Sequence, residues 1–173
     1  MTSKLKTDVL ETVSGSGTIA LTNQLSGMTY ESMAAGTPIQ VKQTYTASTG
    51  YIQTTSTSYV ASGIQCVITP KYANSLILVN FSTSMTEITV NGQGLHVQMY
   101  MNGSVMSGGS SYHAGYKQTT ADYSGMCFNG QYTATSTSAL TFEPYFRSTG
   151  GGNTARLAFT GASVALTITE IKQ

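Results

Sequence analysis

Seven carboxylates, two cysteines and two histidines are the chemically versatile residues of this 173-residue chain. Hydrolysis of a glycosidic bond usually needs two carboxylates facing each other across the sugar. Asp8, Glu11 and Glu31 fall in the opening segment and Glu170 sits near the chain end. Glu87, Asp122 and Glu143 are the acids left to converge, and as exposed strand or loop residues they need no catalytic explanation. There is no Gly-x-Ser-x-Gly elbow, and Gly150-Gly151-Gly152-Asn153-Thr154 lacks the Gly-Lys-[Ser/Thr] ending of a phosphate-binding loop. It reads as a flexible hairpin tip. Cys66 and Cys127 belong to no CxxC pair and read as buried thiols, and His96 and His113 join no Cys/His cluster. The chain is therefore expected to be no enzyme and to hold no metal or cofactor.

The chemistry that does stand out is recognition. Tyr112-His113-Ala114-Gly115-Tyr116, with Tyr123, lies in a long Gly/Ser/Tyr segment from Ser107 to Tyr123 that reads as the longest loop. A tyrosine ring can stack on the apolar face of a sugar while its hydroxyl bonds the rim, and Ser and Gly let a loop adapt. Tyr112, His113, Tyr116 and Tyr123 are the expected receptor contacts. The plainer alternative is that these rings pack the flank of the fold or a groove between subunits.

The elements that must hold such residues follow from composition. Eight basic and seven acidic residues stand against 49 Ser plus Thr, so solubility comes from hydroxyls, amides and Gly. Charged residues make up 9% of the chain, against about 25% in an average soluble domain. Net charge is +1 with no Lys/Arg run, so a phosphate backbone is not an expected partner. Thr alternates with Val, Ile, Leu, Tyr and Phe over most of the length, the pattern of strands with one wet face. Apolar residues at 40% allow one ordinary core.

Residues 1–35 differ from the rest of the chain. Val9, Leu10 and Val13 precede Ser14-Gly15-Ser16-Gly17, then Ile19 and Leu21 carry a second extended stretch, and Met28 to Ala35 suit a turn of helix. Two short strands cannot close a core alone and call for partners such as further copies; a disordered leader is the alternative. Nothing near Met1 matches the apolar core of about 7–15 residues of a signal peptide, so release by lysis is the expected route out of the producing cell. Gly36-Thr37-Pro38 marks the boundary to a domain over 36–173.

From Pro38 on, strand patterns recur: Ile39/Val41/Tyr45, Ile64/Cys66/Ile68, Leu95/Val97/Met99/Met101 and Val164/Leu166/Ile168. Asn102-Gly103 supplies a tight turn, and Pro144 argues for an edge strand or a bulge. Eight or nine strands without a long helix imply an all-β, jelly-roll-like antiparallel β-sandwich rather than a barrel. Leu76-Ile77-Leu78-Val79 breaks the alternation, placing apolar side chains on both faces. Burial of Leu76 and Leu78 against another subunit is the economical explanation; cover by a loop of the same chain is the alternative.

Taken together, Thr54-Thr55-Ser56-Thr57-Ser58-Tyr59-Val60, Gly63-Ile64, Val67-Ile68-Thr69-Pro70 and Ala73-Asn74-Ser75-Leu76-Ile77-Leu78-Val79 resemble the head-domain pattern of small tail-fibre proteins of tailed bacteriophages, particularly phages of aquatic bacteria. The opening Leu5 to Ile19 resembles the attachment and shaft segment ahead of such domains, and Leu166 to Ile171 their final strand. The resemblance implies a homotrimeric virion fibre. Its N-terminal segment would contact other virion proteins, and its head a glycan or outer-membrane receptor on the bacterial surface. It would be assembled in the host cytoplasm. The chain departs from long fibres in having almost no shaft. A capsid head fibre or decoration protein is the second expectation; a secreted lectin is a third.

Overall fold

Alternating apolar and hydroxyl side chains form strands between Pro38 and Ile171 among the described residues. The computed structural model describes residues 33–107, 112–116 and 122–173, and among these no helix occurs. The expected oligomerisation residues Val9, Leu10, Val13, Ile19 and Leu21, and most of the helical turn expected over 28–35, lie outside the described residues. Twelve strands are present among the described residues: β1 (Pro38–Ala47), β2 (Ile52–Thr54), β3 (Val60–Ala61), β4 (Cys66–Ile68), β5 (Leu76–Ile88), β6 (Gly94–Met101), β7 (Ser104–Val105), β8 (Tyr112–Tyr116), β9 (Asp122–Thr133), β10 (Leu140–Ser148), β11 (Ala155–Ala158) and β12 (Ser163–Ile171).

The excess over the eight or nine expected has a simple origin. β3 and β4 pair in tandem along one side of β10, and β7 and β8 pair in tandem along one side of β6, so each couple fills one strand position. The remaining extra is a short β2–β11 ribbon at the far end of β5. Counted as eight positions in chain order, the first sheet runs 1-8-3-6 (β1-β12-β5-β9) and the second 2-7-4-5 (β3/β4-β10-β6-β7/β8). Every pairing is antiparallel. This is the jelly-roll wrapping of two Greek keys, within a unit spanning Ala34–Gln173.

The inward faces meet as the period-2 pattern requires. Ile77, Val79 and Phe81 of β5, Val164, Leu166 and Ile168 of β12, and Phe128 of β9 pack in one core with Leu95, Val97 and Met99 of β6, Phe142 and Phe146 of β10, and Cys66 and Ile68 of β4. Phe81 and Phe128 stand directly opposite each other across β5 and β9. Each such ring contributes about 150–250 Å² of buried, largely apolar surface.

Pro144 corrects one expectation. β10 is a central strand, flanked by β6 on one side and by β3 and β4 on the other, so Pro144 is not at an edge. Its carbonyl accepts the Ser62 N–H at 3.1 Å, on the side where β3 ends and β4 has not begun. In a strand a residue's N–H and C=O point the same way, so the missing donor falls at this gap and costs no ladder bond. The gap is bridged by Glu143, whose carboxylate accepts the Gly63 N–H and Gln65 Nε2–H, both at 2.8 Å. Gly63 makes the bend with φ of 77°.

Residues 148–153 are likewise not a free hairpin tip. Asn153 is fully buried; its Oδ1 accepts the backbone N–H groups of Thr89 at 3.1 Å and Val90 at 3.2 Å, and its Nδ2 donates to Ser148 Oγ at 2.9 Å. Thr149 N–H donates to the Gly94 carbonyl at 3.0 Å. The loop thus clamps the turn between β5 and β6.

Candidate functional site

The four expected receptor residues fall on different sheets. The backbone of Tyr112–Tyr116 is not loop but strand β8, set beside β6 with His113 opposite His96 and Tyr112 opposite Val97. The segment adopts this form because β6 would otherwise leave its backbone groups unpaired beyond β7. Tyr123 lies on β9 of the first sheet, opposite Glu87 of β5.

Around Tyr123 the fold assembles a cluster that sequence spacing conceals. Its ring, on a residue 52% exposed, meets Phe159 edge-on with centroids 5.3 Å apart. Phe159 in turn meets Tyr51, 51% exposed, at 5.0 Å and 82°. The Arg156 guanidinium lies 4.4 Å from the centre of the Tyr51 ring and 5.6 Å from that of Phe159. Arg156 Nε donates to Gln53 Oε1 at 2.9 Å, and its Nη1 forms an ion pair with the buried carboxylate of Glu87. The β2–β11 ribbon carries Gln53 and Arg156 and brings Tyr51 and Phe159 alongside them. Two half-exposed rings beside a neutralised cation form a surface suited to stacking on a neutral sugar ring. Tyr51 and Phe159 escaped sequence reasoning because they are separated by more than half the domain; their proximity to the β2–β11 pairing is the only signal.

The remainder of this sheet's outer surface carries no charged side chain over β1, β12, β5 and β9. Cross-strand rows run Val41, Thr169, Leu78, Gln131 and then Gln43, Thr167, Asn80, Asn129. Ile77 and Val79 point into the core while Leu78 faces outward at 39% exposure, so the apolar run does serve two faces. Leu76 sits between Ile171 and Thr133. The amides are tied laterally: Gln43 Nε2 donates to Thr167 Oγ1 at 2.8 Å, and Asn80 Nδ2 to Asn129 Oδ1.

The acids behave differently from expectation. Glu87 and Glu143 are buried rather than exposed strand or loop residues, and Glu170, near the chain end, is fully buried as well. Each has its own protein partners, and Glu87 and Glu143 lie on different sheets. Asp122 opens β9 opposite Ile88. The thiols split as well: both are free, Cys66 is buried, and Cys127 is exposed. Phe128 takes the inward position on β9, which turns its neighbour Cys127 out. Burial pushes the Cys66 thiol above its ordinary range, against smaller lowering effects of a side-chain and a backbone hydrogen bond with Thr44 and of the Lys42 charge. Among the described residues no group of three or more His, Cys, Asp or Glu is placed to hold a metal ion.

No family model and no curated protein sequence matches this chain. Among solved structures it is similar to the crystal structure of the infectious bursal disease virus VP2 subviral particle, with a TM-score of 0.52 and 13% identity over 88% of this chain. The match covers 36% of that neighbour, so this chain spans about a third of its length. At such identity the likeness is one of fold.

Proposed function

We propose that this chain is a non-enzymatic virion structural protein, a homotrimeric tail fibre of a tailed bacteriophage whose β-sandwich head binds the bacterial surface. The observation that carries the reading is the solvent-facing cluster of Tyr51, Tyr123, Phe159 and Arg156 at one end of a sheet whose remaining outer surface is uncharged. The first feature suits a saccharide or an outer-membrane receptor; the second suits contact with further copies, because little charge has to be desolvated there. The N-terminal segment would join the other virion proteins, and nucleic acid is not a partner. Each contact would be weak, and three heads per fibre would raise the avidity.

The test is binding of the labelled full-length protein to susceptible bacterial cells, with its solution mass measured in parallel by light scattering. A trimer that coats cells supports the fibre. A stable monomer that ignores cells overturns it. The second reading is a capsid head fibre or decoration protein, favoured by the fold shared with a protein of a virus particle. An oligomer that binds purified capsids and not cells would select that reading.

A further inference from the structure

The outer face of the second sheet carries a tyrosine cluster that neither the expected receptor residues nor the Tyr123 cluster includes. Tyr100 on β6 and Tyr145 on β10 stack with ring centroids 3.9 Å apart and planes 14° apart, although their strands are distant in sequence. Tyr59, entering β3, meets Tyr100 at 6.4 Å. All three are partly exposed. The Arg147 guanidinium lies 5.2 Å from the centre of the Tyr59 ring, with Nη1 donating to the Thr57 carbonyl and Nη2 to His96 Nδ1, both at 3.1 Å.

The charge on this face has no counterion among the described residues. The ion pair formed between described residues is Arg156–Glu87, on the other sheet. Glu143, next but one to Tyr145 on the same face of β10, spends its carboxylate on Gly63 and Gln65. A guanidinium has five N–H donors. Two go to Thr57 and His96, Nε is buried with no partner, and each terminal nitrogen keeps one more. A buried donor without a partner is costly and packing alone does not call for it. The two Arg-on-Tyr clusters therefore share a geometry and differ in ion pairing: the Arg156 guanidinium is paired with Glu87, and the Arg147 guanidinium has no carboxylate paired to it.

We propose that the face formed by Tyr59, Tyr100, Tyr145, His96 and Arg147 binds an acidic saccharide, with sugar rings lying against the tyrosines and a uronate carboxylate accepting the remaining donors of the two terminal Arg147 nitrogens. A planar guanidinium is matched to a carboxylate, and the aromatic edges supply the apolar contact that a bare anion would not use. The proposal deepens the host-attachment reading and rests on it only for the source of the saccharide.

The experiment is a calorimetric titration of the full-length protein at low salt with tetragalacturonate and, separately, with uncharged maltotetraose. The expected result is affinity for the uronate at least tenfold higher than for the neutral oligomer. Arg147→Gln should remove that difference, Arg147→Lys should restore part of it, and Tyr145→Ser should weaken uronate binding several-fold. Each variant is compared at matched thermal midpoint and solution mass. No uronate binding, equal binding of both oligomers, or indifference to Arg147→Gln in a folded variant overturns the proposal. Cell attachment that survives Arg147→Gln would overturn this site as the cell contact while leaving the fibre reading intact. Uronate binding by a protein that ignores cells would do the reverse.

Discussion

Glu170, on the last strand, and Ser75, at the entry to β5, are joined by a 2.7 Å hydrogen bond from the hydroxyl to a fully buried carboxylate. The same carboxylate accepts the Lys71 N–H at 2.8 Å and Gln40 Nε2–H at 2.6 Å, so one side chain ties β1, the β4–β5 turn and β12 together. Its charge is met by neutral donors rather than a cation, which makes it an internal brace. Glu170→Ala would strand these donors and should lower stability by about 3 kcal/mol. Glu170→Gln should lose somewhat less, since one oxygen still accepts. Urea unfolding of the three proteins measures both differences; equal midpoints would mean that the turn does not depend on the carboxylate.

Asn153 performs the matching task at the other end of β5. Asn153→Ala leaves the Val90 N–H without its side-chain acceptor, while the Thr89 N–H keeps the Thr154 carbonyl at 3.2 Å, and should cost about 2 kcal/mol. Hydrogen exchange at the Val90 amide should accelerate in the variant. Unchanged protection would show that the Gly-rich loop does not clamp the β5–β6 turn.

Native protein should expose one reactive thiol. Cys127 is exposed and Cys66 is buried, so an aromatic disulfide reagent should titrate one group in buffer and a second only after unfolding. The raised Cys66 pKa also carries a sign. Its ordinary value is 9.0, and in the fold the neutral thiol is favoured, so the thiol's contribution is full below that pH and is lost as pH rises through the folded value. Alkaline loss of stability should therefore be shallower in Cys66→Val than in the native chain, provided the variant folds.

Leu78 lies in the middle of the uncharged outer surface of the first sheet. If that surface joins copies, Leu78→Lys buries a charge at the contact, and the mass by light scattering should fall from about three times the chain mass of 18.2 kDa toward one chain. Folding should be preserved, because the side chain points away from the core. An unaltered oligomer would place the contact elsewhere on the chain.

The all-β class, the strand positions and the inward residues were legible because burial on one face of a sheet imposes period 2 on the chain itself: β6 and β12 alternate as read, and Ile77 and Val79 separate from Leu76 and Leu78 as the apolar run implied. What only the tertiary structure decided depends on register between distant segments. Pro144 is central because the facing strand is broken opposite it. Tyr112–Tyr116 is an edge strand because β6 offers it a partner. Glu87, Glu143 and Glu170 are buried because Arg156, Gly63 and Ser75 arrive from elsewhere to meet them. The two Arg-on-Tyr clusters are of the same kind, since Tyr59 with Arg147 and Tyr51 with Arg156 become neighbours only when the strands have paired. Periodicity is a local property of the chain, whereas cross-strand neighbours are set by how the whole chain packs, and the surfaces that bind are made of such neighbours.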